Sequence, residues 1–162
     1  MNPLFVSLFF GLLAVSIQAA NHDGTSRVQF LSYPDCIQLE NDTTRVVLGH
    51  HRGGRVLVYA YQEHNALYLD PEEGTWQPGS RERLPVSAGR FDIGPEKIIP
   101  SRRPLWEEAW DAEIIGPRKA RLTSTKHDGT GVQLVREFTL SETGSHLACQ
   151  QIIRNISTHT TE

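Results

Sequence analysis

The sequence predicts an all-β protein of antiparallel strands. Short runs rich in Val, Leu, Ile, Phe and Tyr recur along residues 28–61 and 110–156, and turn residues separate them. Such runs are typical of strands. In the second half, four runs follow one another across short turns, which predicts an antiparallel meander. No window has the 3.6-residue periodicity of a capped helix, and only residues 103–112 invite a helical interpretation.

The first half contains four predicted strands, at residues 28–31, 36–39, 45–49 and 55–61. The pair Gly53-Gly54 predicts a tight turn that enters the last of them. It lacks the Lys-Ser/Thr and the following helix that a phosphate-binding loop requires.

The second half carries the clearer strand pattern. Asp128-Gly129 predicts a hairpin turn, because both residue types tolerate positive φ. In the strand that follows, alternate apolar residues share one face: Val132, Leu134, Phe138 and Leu140. The last predicted strand has its own apolar face: Leu147, Cys149 and Ile153.

The N-terminus predicts a signal peptide. The chain divides into a leader (1–20), a polar linker (21–26) and a β-sandwich domain (27–162). Residues 4–17 form an apolar run of about 14 residues, whereas a membrane span takes about 20. Ala19 and Ala20 supply the small residues of a cleavage site. The expected location is periplasmic or secreted; the alternatives are an uncleaved anchor and a buried N-terminal element.

Charge and cysteine content narrow the classes of partner. The net charge is −3, from 16 basic and 19 acidic residues. Nucleic acids and anionic membranes favour basic surfaces, so neither is expected as a partner beyond the leader's own contact with a membrane. Cys36 and Cys149 could pair in an oxidising compartment or remain free thiols, and both alternatives stay open.

Motifs for metal and nucleophile chemistry are missing from the sequence. The seven histidines show no His-Glu-x-x-His spacing, and no Gly-x-Ser-x-Gly elbow occurs. His50 and His51 are adjacent, so on a strand their side chains would point to opposite faces. We expect neither a metal nor a cofactor.

The candidate site lies in the middle of the chain. Residues 70–104 hold six of the nine prolines, and a long loop of this kind is often functional. Asp92 and Glu96 could act as acid and base or accept hydrogen bonds from sugar hydroxyls. The three tryptophans could stack on a sugar ring. The alternative is an Arg90–Asp92 loop salt bridge with the tryptophans in the core. The predicted substrate-binding residues are Arg55, Trp76, Arg90, Asp92 and Glu96.

Several segments resemble the galactose mutarotase-like (aldose-epimerase-like) superfamily. Residues 46–48, 53–59 and 65–68 resemble its opening strand, glycine-rich turn, strand and Asn-x-Leu segment. Residues 89–96 are similar to the Gly-Gly-x-x-x-Trp-x-x-Pro-Glu stretch of a secreted branch, and residues 110–157 resemble the meander that follows. Ala88 departs from the pattern at one glycine. The His-x-Tyr-Phe-Asn segment and late catalytic glutamate of true mutarotases have no match.

The resemblance implies an antiparallel β-supersandwich and sugar-binding ancestry. Family domains are about twice this length, so the domain is expected to be incomplete and to correspond to an N-terminal half. The expected function is an exported carbohydrate-binding protein without the full catalytic machinery, and no catalytic residue is assigned. If the protein were active, it would be an aldose epimerase-like isomerase. The alternative function is a non-catalytic extracellular β-sandwich with a structural or protein-interaction role.

Overall fold

The computed structural model of the chain describes residues 22–77, 89–95, 97 and 99–158. These residues form two antiparallel sheets, one of five strands and one of four, whose strand order follows the chain. The prediction of an all-β sandwich is therefore confirmed. The predicted leader and the predicted site residue Glu96 lie outside the described residues.

The first sheet is built from the first half of the chain. Its strands are β1 (Thr25–Phe30), β2 (Tyr33–Glu40), β3 (Thr44–Gly49), β4 (Arg55–Tyr61) and β5 (His64–Asn65). The four strands predicted in this half are confirmed. β1 begins at Thr25, inside the segment that the sequence predicts as a linker.

The second sheet is the predicted meander. Its strands are β6 (Asp111–Gly116), β7 (Lys119–Thr123), β8 (Val132–Leu140) and β9 (Leu147–Asn155). Each strand pairs antiparallel with the next one in the chain. A short helix, α1 (Arg103–Glu107), precedes the sheet. It ends well before residue 112, because a β-strand begins at Asp111.

The turn between β7 and β8 differs in detail from the prediction. His127 bridges to Val132, and the Gly131 amide donates to the His127 carbonyl at 2.9 Å. Gly131, with φ of 68°, occupies the left-handed region, rather than the predicted Asp128-Gly129 pair. The reason is that this loop is longer than two residues, and longer hairpin loops commonly close on a single left-handed residue.

The main core lies between the two sheets. It contains Ile37, Leu39, Val46, Leu48 and Val56 from the first sheet and Ala120, Leu122, Val132, Leu134, Phe138 and Leu140 from the second. Phe91, Leu105 and Trp110 from the connecting segment complete it. A second cluster covers the other face of the first sheet and includes Cys36 and Trp76. Cys36 is buried there as a free thiol, and Cys149 is an exposed free thiol on β9, so the two are unpaired.

β9 departs from the burial that its pattern predicts. Its register places Ile153 opposite Leu134 and Cys149 opposite Phe138, so the predicted sharing of one face is correct. Leu134 and Phe138 are fully buried, whereas Ile153 is 56% exposed and Cys149 is exposed. The physical reason is that only Leu147, at the start of β9, packs against the core. The first sheet therefore leaves most of β9 uncovered.

The segment between β5 and β6 connects the two sheets and also pairs with the first sheet. A 3-10 helix over Pro71–Thr75 follows β5. Gly89 then pairs with Val56 of β4 through two backbone hydrogen bonds of 2.9 and 3.0 Å. α1 comes next and leads into β6. The connection therefore returns to the start of β4 before it enters the second sheet.

Candidate functional site

The turn between β3 and β4 forms the floor of the candidate site. Gly53 has φ of 68°, which L side chains rarely adopt, and its amide donates to the Glu108 carbonyl at 2.8 Å. A Cβ on Gly54 would lie 2.4 Å from the Trp110 ring. The two glycines therefore allow the α1 segment to dock directly on the turn, which confirms that Gly53-Gly54 is a tight turn entering a strand.

His50 and His51 belong to this turn, because β3 ends at Gly49. Their ring centroids are 4.0 Å apart, so the two rings lie together; the prediction of opposite faces applied to a strand, and these two residues are outside β3. Burial lowers the pKa of His50 to about 4, with a smaller contribution from His51. Both rings are half-buried and neutral near pH 7.

Arg55 lies in a buried ion pair. Its guanidinium bonds to the Glu73 carboxylate, and their side chains are 2% and 0% exposed. The Tyr33 hydroxyl donates to the same carboxylate. Burial, together with this bond, raises the pKa of Tyr33 to about 12. The predicted binding residue Arg55 is therefore neutralised within the protein, by a partner that the sequence analysis did not single out.

Trp76 packs beside this ion pair. Its ring stacks on Tyr33 with centroids 4.7 Å apart, and His51 lies 5.5 Å from it. Trp76 is 7% exposed and belongs to the cluster on the outer face of the first sheet. The structure thus places Trp76 with Arg55 but gives its ring little open face for a ligand.

Asp92 forms the centre of a second polar group. Arg102 donates to its Oδ1 at 2.7 Å from Nε and to its Oδ2 at 3.2 Å from Nη2. The indole Nε1 of Trp106 also donates to Oδ1, at 3.1 Å. The partner of Asp92 is Arg102, so the alternative of an Arg90–Asp92 salt bridge is wrong. Arg90 lies two residues before Asp92, and its side chain lies against Leu105 and Trp106 instead.

The Arg102 bond, outweighing partial burial, lowers the pKa of Asp92. The carboxylate is therefore ionised near neutral pH, and its side chain is still 50% exposed. Oδ1 accepts three bonds, since the Ile93 amide also donates to it at 2.7 Å, whereas Oδ2 accepts one bond and keeps a lone pair for a ligand. An ionised carboxylate accepts hydrogen bonds from hydroxyl groups, but it has no proton to give. This suits recognition of a hydroxylated ligand better than general acid catalysis.

Trp106 stands between a closed crevice and an open cleft. On one side it packs in the crevice, which has no room for a water molecule, with Arg90, Phe91, Leu105 and the residues of the Gly53-Gly54 turn. On the other side it lines an open cleft of about 310 Å³ with Ile99, Pro100, Arg102 and Glu107. The Arg102 guanidinium lies over the Trp106 ring, with Cζ 4.4 Å from the centroid. The half-buried indole is thereby held rigid beside the Asp92 carboxylate.

The structure divides the predicted site residues into two groups. Arg90 and Asp92 lie beside Trp106, whereas Arg55 and Trp76 belong chiefly to the buried group around Glu73. Arg102 and Glu73 were not predicted from the sequence; they contact their partners across 10 and 18 residues of chain. Trp106 was noted only as one of three tryptophans.

Within residues 22–77, 89–95, 97 and 99–158, no three His, Cys, Asp or Glu side chains are grouped closely enough to hold a metal ion. No helix in this part of the chain has the length and apolar character needed to cross a membrane. Comparison with protein-family models, curated proteins and solved structures finds no match to this chain.

Proposed function

We propose that this chain is an exported carbohydrate-binding protein whose site is the surface around Trp106 and Asp92. One observation carries the proposal: an ionised, half-exposed carboxylate is fixed beside a rigid indole ring. Carboxylates accept bonds from sugar hydroxyls, and indole rings pack against the apolar face of a sugar. The site combines the two chemistries that a neutral, polyhydroxylated ligand needs.

Binding rather than catalysis is the proposed role. Ring opening at an anomeric carbon needs one group to donate a proton and another to accept it. Asp92 is held ionised by Arg102, and no second carboxylate contacts it among the described residues. The resemblance of residues 46–59 and 89–96 to mutarotase-like proteins supports sugar-binding ancestry. The apolar run at residues 4–17 supports export.

The test is a calorimetric titration of the purified protein with a panel of aldoses and oligosaccharides. We expect saturable binding by at least one sugar. Trp106→Ala and Asp92→Asn should each weaken it about tenfold or more, because stacking and a charged hydrogen bond each contribute about 1–3 kcal/mol. Tyr61→Ala and Asp42→Asn are matched controls, since both are exposed, Tyr61 at the end of β4 and Asp42 in the turn between β2 and β3.

Thermal melting of each variant separates loss of binding from loss of fold. Trp106→Phe keeps a ring at the site and should retain part of the affinity. Absence of binding by any sugar at millimolar concentration would overturn the proposal and favour a structural or protein-interaction role. Binding that survives both Trp106→Ala and Asp92→Asn would place the site elsewhere on the protein.

A further inference from the structure

The outer edge of β9 is a long and regular strand edge. β9 pairs with β8 over nine consecutive residue pairs without a register shift. On its other side, no strand of the described residues pairs with it. All of its residues except Leu147 and Ile152 are exposed. An exposed edge of this kind is a template on which another strand can pair.

The other edge strands of the described residues are short or irregular. β5 has two residues, and register shifts interrupt β1 at residues 28–30 and β6 at residues 114–116. Two carbonyls of β6 also accept bonds from the Thr25 and Arg27 side chains of β1. β9 lacks these protections: it has no bulge and no proline, and its only charged residue is Arg154.

The backbone groups on the open edge of β9 follow from the hydrogen bonds of β8. The Leu134 amide donates to the Ser124 hydroxyl, and the Leu134 carbonyl accepts from the Ser124 amide, so both groups point away from β9. Because residues opposed in an antiparallel pair either bond to each other or both point away, Ile153 directs its own amide and carbonyl to the open edge. The same holds for every second residue of the strand: Leu147, Cys149, Gln151 and Asn155.

The open edge is complementary to a second copy of itself. β9 runs from Leu147 to Asn155, so its central residue is Gln151. When two copies pair antiparallel along the whole strand, Gln151 lies opposite Gln151, and Cys149 lies opposite Ile153. Every opposed pair that includes one of the outward-directed residues then includes two, so each free amide meets a free carbonyl.

An apolar groove adjoins this edge on the inner face of the second sheet. It has a volume of about 470 Å³ and is lined by Ile153 and Val132 together with Ile93, Ile99 and Pro100 of the connecting segment. Ile153 is 56% exposed at its rim. A thiol side chain placed opposite Ile153 covers part of this apolar surface, which favours the same register as the backbone groups.

We propose that two copies of this chain pair antiparallel through β9, with Gln151 on the two-fold axis, and join their second sheets into one continuous sheet. The occupant is a second copy because one register matches the hydrogen-bonding groups, the apolar side chains and the charges. Arg154 lies opposite the second copy's Ala148, so no like charges meet. The interface does not include Trp106 or Asp92, and its failure would leave the carbohydrate proposal intact.

Sedimentation equilibrium of the purified chain tests the dimer. We expect the mass to rise reversibly from one chain to two as the concentration increases through the micromolar range. Gln151→Lys should abolish this rise, because two ammonium groups would meet at the two-fold axis. Gln29→Lys is the matched control and should associate like the wild type, since Gln29 is an exposed glutamine of another edge strand, β1.

A mixture of charge variants tests the two-fold axis. Gln151→Glu should also remain a single chain when it is alone. Mixed in equal amounts, Gln151→Glu and Gln151→Lys should form a one-to-one complex, because opposite charges then meet at the axis. Position 151 is exposed, so thermal melting should show that both variants are folded.

Disulfide formation tests the register. Positions 149 and 153 are about 13 Å apart along one strand, which is too far for a disulfide within the chain. Under mild oxidation, Ile153→Cys should give a covalent dimer in which peptide mapping links residue 153 of one copy to Cys149 of the other. The wild type should give little covalent dimer, because its Cys149 lies opposite Ile153.

Three results would overturn the proposal. One is the mass of a single chain, or a mass that grows beyond two chains, at concentrations up to the millimolar range. Another is association that Gln151→Lys leaves unchanged, since the interface would then lie elsewhere. The last is efficient Cys149–Cys149 cross-linking of the wild type, which would require a different register.

Discussion

At the scale of single residues, the turn between β3 and β4 brings unusual groups together. His50 and His51 lie against each other, and His51 also contacts the Tyr33 ring with centroids 5.6 Å apart. Both imidazoles are half-buried, and the Nδ1 of each has no hydrogen-bond partner among the described residues. Protonation would place a charge in a poorly solvated position, which is why burial lowers both pKa values.

The lowered His50 pKa makes stability depend on pH. Its folded-state pKa of about 4 lies below the ordinary 6.5, so the unfolded chain binds more protons between these values. Stability is then fully present above pH 6.5 and falls as the pH drops toward 4. We expect a loss of about 1–2 kcal/mol between pH 7 and pH 5, measured by urea unfolding.

His50→Gln should remove most of this loss, whereas His64→Gln, at an exposed position in β5, should not. Asp92 does not contribute in this range, because its folded-state pKa is lowered below 3.8 and it loses its stabilising charge only at lower pH. A wild-type unfolding free energy that stays constant from pH 7 to pH 5 would contradict the assignment.

Part of the candidate site could be predicted from the sequence. The proline-rich segment at residues 70–104 drew attention to Arg90 and Asp92, and both lie beside Trp106. It did not reveal that Asp92 pairs with Arg102, or that Arg55 pairs with Glu73. These contacts join residues 10 and 18 positions apart through loop geometry. No periodicity records which of several nearby charges will meet across such a loop.

At the scale of elements, β8 and β9 share a pattern but not an environment. Both strands alternate apolar residues on the face toward the first sheet, and their register matches pair by pair. β8 lies beneath the first sheet, whereas β9 lies at the edge of its own sheet with much of that face uncovered. Alternation predicts which residues share a face, but whether another layer covers that face depends on the whole fold.

Matched substitutions test this difference. Leu134→Ala removes a fully buried side chain and should cost about 2–5 kcal/mol of unfolding free energy. Ile153→Ala, at the directly opposite position of β9, should cost under about 1 kcal/mol, because Ile153 is 56% exposed. Urea unfolding at neutral pH measures both.

If Ile153→Ala is as destabilising as Leu134→Ala, the inner face of β9 is covered in solution. The wild-type curve should be recorded at two protein concentrations, so that a contribution from self-association is recognised.

At the scale of the whole molecule, hydrogen bonds join the two sheets in two regions, one between β1 and β6 and one between the β2–β3 turn and the β8–β9 turn. The Thr25 hydroxyl donates to the Gly116 carbonyl at 3.2 Å, and Arg27 Nη2 donates to the Ala112 carbonyl at 2.6 Å. These bonds connect β1 with β6. Arg136 links β8 to Gly54 and Gly89, near the candidate site. The site is therefore built where the connecting segment crosses between the sheets.

The all-β class was predictable because strand periodicity and turn residues are local signals. The path of the connecting segment between the sheets was not predictable. It depends on close approaches such as Trp110 against Gly54 and on the pairing of Gly89 with Val56. Gly53-Gly54 marked a turn in the sequence. What docks on that turn became clear only from the packing of the α1 segment.

The most direct test of carbohydrate binding at Trp106 is an NMR titration of the ¹⁵N-labelled protein with neutral and acidic methyl glycosides. The indole signal of Trp110 is an internal reference, because its Nε1 donates to the Leu105 carbonyl in the core at 3.0 Å. We expect the Trp106 indole and the amides of Gly53, Arg90 and Asp92 to shift to saturation while the Trp110 indole stays in place. Unmoved Trp106 and Asp92 signals at saturating millimolar sugar would contradict the account.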